Sequence, residues 1–209
     1  MIANGIIAIV TAYLLGAIPS AYIVVRLLKG KDIRQLGSGT VGSFNTYRQA
    51  GAKAGIAVAI ADIGKGAATI VIAHHVLSVT LPFVLAAGFA AIVGHMWMPF
   101  LKFRGGMGMG TAIGTMSTLL ALHQHWHQLF IFIGIIGASL LITRNIALSA
   151  GMALLALPII LWVGMKSMPF TILAAVIFLM IWLKFLPTAR AAWARTKNKR
   201  DFFFSNSLR

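Results

Sequence analysis

Long apolar segments alternate with short polar loops along the whole sequence. The apolar segments fall at about 2–28, 54–79, 81–101, 111–122, 129–143, 146–164 and 169–186. A transmembrane helix needs roughly 20 predominantly apolar residues, and its backbone polar groups must pair within the helix. The pattern therefore predicts about seven helices. The fourth and fifth segments are short enough to be tilted, kinked or re-entrant.

The composition indicates whether these helices fold in water or in a membrane. Apolar residues make up 59% of the 209 positions and charged residues only 10%, which is more apolar surface than a soluble domain of this length can bury. We therefore predict an all-α fold, a polytopic transmembrane helix bundle that forms a single integral membrane domain over residues 1–209. No basic residue precedes the first apolar segment, so we expect that segment to remain as a helix and not to be cleaved as a signal peptide.

The distribution of charge predicts how the helices are oriented. The 18 lysines and arginines and three acidic residues give a net charge of +15. These charges lie in short loops, as in membrane proteins, and not in a basic groove, so we expect no nucleic-acid partner. Seven spans place nearly all of them, with the basic tail at 190–209, on one side. The positive-inside rule then predicts an outside amino terminus and a cytoplasmic carboxyl terminus.

The opposite side of the predicted bundle receives most of the histidines. His74, His75 and three histidines of the turn at 123–128 fall there, with no Asp, Glu or Cys beside them. Because the usual mixture of zinc ligands is missing, we expect no metal and no cofactor. The chain has no cysteine, so neither a disulfide nor a thiol nucleophile is available.

The longest polar loop, at 37–48, combines glycines with hydroxyl and amide side chains and ends in Arg48. We call it the first loop. Its backbone N–H groups, small polar side chains and a guanidinium able to grip a phosphate in bidentate fashion suit an anionic ligand. The alternative is a flexible loop whose basic residues meet anionic lipid head groups.

Two opposite charges interrupt an otherwise apolar segment. Asp62 and Lys65 are three residues apart, so they share one face of a helix and can partly neutralise each other. The neighbouring Gly64 and Gly66 permit a break or a close helix crossing. Ionisable residues within a membrane are costly and usually mark a functional site. The alternative is a structural ion pair that pins two helices.

A glycine-dense run at 105–110, which we call the glycine loop, lies between two apolar segments. Lys102 and Arg104 come just before it, and His95 lies near the end of the preceding helix. Glycines let a backbone bring its N–H groups up to a ligand, so such a run opening a helix predicts an anion or phosphate cradle. The alternatives are a helix-packing turn for the loop and, for His95, a hydrogen-bonded structural role instead of that of a base.

Several short motifs follow one another in a recognisable order. They are Gly37-Ser38-Gly39 with Gly42, Asn45 and Arg48, then Asp62 with Lys65-Gly66, then Gly94-His95, then Phe103 with Gly105, Gly106 and Gly108, and finally Thr143-Arg144. This order resembles the PlsY family of bacterial integral-membrane enzymes. The resemblance spans roughly residues 10–150, and the joint occurrence is far more specific than any single motif.

The resemblance implies a chemistry. PlsY enzymes transfer a fatty acyl group from acyl phosphate to glycerol 3-phosphate and make lysophosphatidic acid for phospholipid synthesis. The resemblance thus implies an acyltransferase in the bacterial inner membrane, surrounded by membrane lipids. It also implies a further partner at the cytoplasmic face, an enzyme that produces acyl phosphate. Because acyl phosphate is already activated, an enzyme that holds two phosphate-bearing substrates needs cationic and N–H donors more than a strong nucleophile.

The resemblance also implies roles for individual residues. Ser38 and Arg48 would be the catalytic side chains, and Gly105, Gly106 and Gly108 would form the phosphate loop. The other substrate-binding or phosphate-binding residues would be Gly37, Gly39, Asn45, Thr46, Asp62, Lys65, His95, Lys102, Arg104 and Arg144.

The chain departs from the family pattern at several positions. The replacements are Thr40 for asparagine, Met107 for lysine, Ala147 for a hydroxyl residue and, if Arg190 and Arg195 match the closing arginines, Ala189 for histidine and Ala192 for asparagine. Met107 removes a point charge from a site built for anions. The departures leave open a non-catalytic relative that binds anionic lipid or phosphate ligands. A small transporter or channel is a third possibility, although no inverted repeat is evident.

Overall fold

The computed structural model describes residues 2–195, and this part of the chain contains α-helices and no strand. The nine α-helices of the described residues are α1 Ile2–Gly16, α2 Ser20–Lys29, α3 Ser43–Ala50, α4 Ala52–Val71, α5 Leu81–Met96, α6 Met109–Leu122, α7 Trp126–Thr143, α8 Ile146–Met165 and α9 Met168–Arg195. The predicted all-α class is confirmed.

Six helical segments of the described chain are long and apolar enough to cross a membrane. They are Ile2–Lys29, Ala52–Val76, Leu81–Leu101, Trp126–Thr143, Leu148–Met165 and Met168–Ala191. The seventh apolar helix, α6, has 14 residues and is shorter than a simple span, as the pattern indicated for the fourth segment. The predicted fifth segment gains length because α7 begins at Trp126.

The first predicted segment is one apolar run in sequence but two helices in the structure. Proline lacks an N–H group and its ring collides with the carbonyl one turn earlier, so Pro19 ends the regular ladder. Helix α1 therefore stops at Gly16 and α2 starts at Ser20. The break exposes backbone polar groups inside an apolar segment, and those groups need partners.

The described residues divide into two compact units, with the boundary in the chain after Leu119. In the first unit, glycines let helices approach backbone to backbone. A Cβ on Gly16 would overlap the Ala91 carbonyl, and one on Gly66 would overlap the Thr111 carbonyl. The predicted close crossing at Gly66 is thus confirmed, and α4 runs through it without a break.

The second unit is built on α7, α8 and α9. Helix α8 packs between the other two. A Cβ on Gly164 of α8 would overlap the Gln128 side chain of α7. The single membrane domain expected over residues 1–209 stays a prediction, and residues 196–209 of the basic tail lie outside the described chain.

Candidate active site

The predicted ion pair forms inside the first unit. Asp62 and Lys65 lie one turn apart on α4, with Lys65 Nζ 2.8 Å from Asp62 Oδ1, and each side chain is only 6% exposed. The shared helix face expected from their spacing is therefore confirmed. A buried pair of this kind needs further hydrogen bonds to offset the loss of hydration.

The break between α1 and α2 supplies those hydrogen bonds. Lys65 Nζ donates to the Ile18 carbonyl at 3.0 Å, and Ser20 Oγ donates to Asp62 Oδ1 at 3.1 Å. No motif in the sequence pointed to Ile18 or Ser20. The available signal was Pro19, because a proline inside an apolar segment frees backbone groups that a buried charge can bind.

His95 links this buried cluster to the glycine loop. Its Nδ1 lies 3.6 Å from Asp62 Oδ1, and its side chain is 4% exposed at the end of α5. Its backbone carbonyl accepts a hydrogen bond from Gly106 N–H at 3.0 Å, and the Met96 carbonyl accepts one from Gly105 N–H at 3.2 Å. A displacement of Asp62 or His95 would therefore also displace the glycine loop.

The glycine loop opens a helix, as predicted. Gly108 has φ +85, and its carbonyl accepts the Ala112 N–H at 2.8 Å as α6 begins. The Gly105 and Gly106 N–H groups donate to main-chain carbonyls in this structure, and the phosphate cradle expected of them stays a prediction. The donors that a helix start leaves for an anion are the first-turn N–H groups of α6.

Gly105 and Gly106 are required for close approach. A Cβ on Gly105 would overlap the His95 carbonyl, and one on Gly106 would overlap both His95 Nε2 and the Val41 carbonyl. Val41 belongs to the first loop. The first loop and the glycine loop therefore meet at Gly106, beside the buried cluster.

The side-chain amide of Asn45 holds the first loop together. Asn45 is 2% exposed, and its Nδ2 donates to the Leu36 and Thr40 carbonyls, each at 3.0 Å. Its Oδ1 accepts the Ser38 N–H at 3.3 Å. Residues 43–48, predicted as loop, instead form most of α3, where Thr46 Oγ1 donates to a main-chain carbonyl one turn earlier. Asn45 and Thr46 are thus buried supports of the loop.

Ser38 is the exposed hydroxyl of the first loop. It lies between Gly37 and Gly39, whose φ angles of +55 and +70 favour glycine in this turn. Its Oγ is 2.8 Å from Thr40 Oγ1, so the residue that replaces the family's asparagine still gives Ser38 a hydrogen-bond partner. The guanidinium of Arg48, on α3, lies 4.4 Å from the centroid of the Phe44 ring.

A second ion pair fixes the turn before the glycine loop. Arg34 Nη2 lies 2.6 Å from Asp32 Oδ2, and Arg34 Nη1 donates to the Leu101 carbonyl at 3.1 Å. Hydrogen bonds from Arg34 hold the pKa of the Asp32 carboxyl below its usual value, although desolvation acts in the opposite direction. No motif in the sequence singles out Arg34 among the loop charges. Lys102 and Arg104 are exposed on this turn.

Arg144 belongs to the second unit. It ends α7 with a left-handed φ of +52, and its side chain is exposed. Its neighbours form a buried polar cluster, in which Thr143 Oγ1 donates to the Ser139 carbonyl at 2.7 Å and Ser149 Oγ donates to the Asn145 carbonyl at 2.8 Å. Of the departures toward the carboxyl end, Ala147 lies in α8 and both Ala189 and Ala192 lie in α9.

Comparison with known proteins identifies the family. The family model described as glycerol-3-phosphate acyltransferase matches residues 6–194. The chain belongs to the glycerol-3-phosphate acyltransferase family. A glycerol-3-phosphate acyltransferase 1 from Dehalococcoides mccartyi is 41% identical over 194 residues, which is 93% of each chain.

Solved structures of the glycerol-3-phosphate acyltransferase family agree with this assignment. The crystal structure of PlsY, an integral membrane glycerol 3-phosphate acyltransferase, in its glycerol 3-phosphate form superposes with a TM-score of 0.81 at 26% identity, covering 91% of this chain and 92% of that one. Its lysophosphatidic acid form gives a TM-score of 0.78 at 24% identity, with 96% and 99% coverage, and shows the same fold. The resemblance drawn from the motif order is confirmed.

Proposed function

We propose that this protein transfers a fatty acyl group from acyl phosphate to glycerol 3-phosphate and releases lysophosphatidic acid and inorganic phosphate. The observation that carries the proposal is the meeting of the first loop and the glycine loop at Gly106, where the Val41 carbonyl packs against the glycine. The contact supports the proposal because it joins the hydroxyl-bearing first loop to the loop that the family resemblance assigns to phosphate.

The reaction requires little covalent chemistry from the protein. A hydroxyl of glycerol 3-phosphate attacks the acyl carbon, a new carbon–oxygen bond forms, and the bond between the acyl carbon and the phosphate oxygen breaks. The hydroxyl proton leaves on the released phosphate. The protein must hold two phosphate groups and orient the hydroxyl toward the acyl carbon, and such positioning is worth several powers of ten in rate.

The described residues support a division of these tasks. Ser38 and Arg48 would contact the reacting groups from the first loop. The first turn of α6, with Lys102, Arg104 and Gly108 nearby, would bind phosphate through N–H groups and positive charge. The role that the resemblance implies for Arg144, in the second unit, stays a prediction.

The remaining predicted residues would act by positioning. Gly37, Gly39, Asn45 and Thr46 would keep Ser38 in place, and Asp62, Lys65 and His95 would hold the glycine loop from behind, together with Gly105 and Gly106. These residues are occupied with one another in the structure, which favours support over direct phosphate contact.

The cellular setting is also part of the proposal. Membership of the family supports a multi-pass protein of the bacterial inner membrane. The excess of Lys and Arg in the loops supports an outside amino terminus and a cytoplasmic site. The acyl chain of the donor would stay in the bilayer. Acyl phosphate would come from a separate enzyme at the cytoplasmic face.

The decisive test is turnover by the purified protein in lipid nanodiscs. With palmitoyl phosphate and radiolabelled glycerol 3-phosphate, we expect lysophosphatidic acid and inorganic phosphate in equal amounts. Palmitoyl-CoA in place of palmitoyl phosphate is the matched control and should give no product. A folded protein that binds both substrates and forms no product would contradict the acyltransferase and favour the non-catalytic relative.

Replacing the methionine of the glycine loop by lysine is expected to increase catalytic efficiency. Met107 is partly exposed, so the substitution Met107→Lys can extend an ammonium toward a bound phosphate. A regained contact of about 1.4 kcal/mol would lower the KM for a phosphorylated substrate or raise kcat by up to about tenfold. Met107→Gln, which has similar length and no charge, is the control and should match the wild type. Equal kinetics for the lysine and glutamine variants would show that no phosphate comes near this position.

A further inference from the structure

The turn that leads into the glycine loop exposes two phenylalanines beside two cations. Phe100 is 64% exposed and Phe103 is 61% exposed, and both Lys102 and Arg104 are exposed. Leu101, which lies between the two phenylalanines in the sequence, is buried in the core and anchors the turn. Phe103 differs from Phe100 because it lies directly between the two cations and two residues before the first glycine of the loop.

The backbone at Phe103 is held in an unfavourable conformation. Lys102 and Phe103 have φ angles of +56 and +60, a left-handed region that bulky residues enter only when the surrounding structure imposes it. Here Phe103 N–H donates to the Met98 carbonyl at 2.9 Å and Arg104 N–H donates to the Leu101 carbonyl at 3.2 Å. The fold thus keeps an apolar ring outward at a backbone cost, and such strain commonly accompanies a ligand site.

The mixture of side chains indicates the ligand. An aromatic ring gains free energy from an apolar partner, and an adjacent lysine and arginine favour an anionic group. Lysine and arginine are also common in the cytoplasmic loops next to membrane-spanning helices. An amphiphile with a phosphate at one end of an alkyl chain satisfies all three side chains together, whereas glycerol 3-phosphate offers only the anion.

We propose that Phe103 contacts the acyl chain of the acyl phosphate donor while Lys102 and Arg104 flank its phosphate, so that this turn is where the donor passes from the bilayer to the glycine loop. The inference rests on the proposed acyltransferase function and adds a residue that recognises the donor. It makes Phe103 selective for one substrate, because the acceptor has no chain for the ring to contact.

The test compares donor and acceptor kinetics of Phe103→Ala in nanodiscs. Losing the ring contact should raise the KM for palmitoyl phosphate by roughly tenfold. The KM for glycerol 3-phosphate should change by less than about twofold, because the substitution removes no contact with that substrate. The increase should be smaller with butyryl phosphate, whose chain is too short to cover the ring.

Three further variants separate the side chain from the backbone. Phe100→Ala removes an equally exposed ring from the same turn and should leave both KM values unchanged. Phe103→Leu should largely preserve donor affinity, and Phe103→Gly, which relieves the left-handed strain, should lose it as alanine does. Wild-type kinetics for Phe103→Gly would overturn the proposal, and so would an equal effect of Phe100→Ala. Wild-type turnover in the same assay shows that the acyltransferase function itself holds.

Discussion

Replacing Asp62 by alanine is expected to destabilise the folded protein by roughly 3–5 kcal/mol, because breaking a buried ion pair leaves one charge without its partner. Lys65 would remain with its ammonium buried in α4, where its 2.8 Å contact to the carboxylate is lost. Ser20 would lose its acceptor at the same time. We expect a large fall in the thermal unfolding midpoint in detergent, accompanied by loss of turnover.

The matched control keeps the branching of the side chain at position 62 and removes both charges. The double variant Asp62→Leu with Lys65→Met should recover most of the stability lost in Asp62→Ala, since an apolar pair avoids the desolvation cost. Its turnover should stay low, because the replacement gives His95 no carboxylate. If Asp62→Ala unfolds like the wild type and only the KM for a phosphorylated substrate rises, the pair serves the ligand directly.

The positions of the membrane-spanning helices along the chain could be predicted from the spacing of apolar residues. The break between α1 and α2 could not. Segment lengths near the thickness of a bilayer are enough to predict spans such as Leu81–Leu101. The separation of α1 from α2 depends on Pro19 and on the groups that satisfy the freed backbone. Lys65 lies 47 residues further along the chain and binds the Ile18 carbonyl, and a pattern read over neighbouring residues does not show so distant a contact.

The site was predictable as a set of motifs but not as a set of contacts. The motif order correctly indicated the family, and the run at 105–110 correctly indicated a helix start. A sequence does not reveal that the N–H groups of Gly105 and Gly106, which were expected to face a phosphate, donate to the carbonyls of Met96 and His95. Those bonds form only because α5 ends where the loop returns.

The substitution Gly106→Ala tests the close approach on which the site depends. A Cβ at this position would overlap the His95 imidazole and the Val41 carbonyl. The imidazole can turn, but the carbonyl belongs to a backbone that Asn45 fixes through hydrogen bonds to the adjacent Thr40 carbonyl and the Ser38 N–H. The two loops must therefore separate. A displacement of about 1 Å between catalytic groups can cost roughly 100-fold in rate, and we expect a loss of that size in kcat/KM.

The control for Gly106→Ala is Gly64→Ala. Gly64 lies on α4, and within the described chain no heavy atom comes within 4 Å of a Cβ built there, so the added methyl meets open space and should slightly favour the helix. Turnover should match the wild type in this variant. The Gly106→Ala protein should stay membrane-inserted and folded, since the clash involves only the two loops and the His95 side chain. The loss of function should appear in kcat/KM far more than in the thermal midpoint. Wild-type kinetics for Gly106→Ala would mean that the first loop and the glycine loop act independently, and the proposed site at their junction would then be wrong.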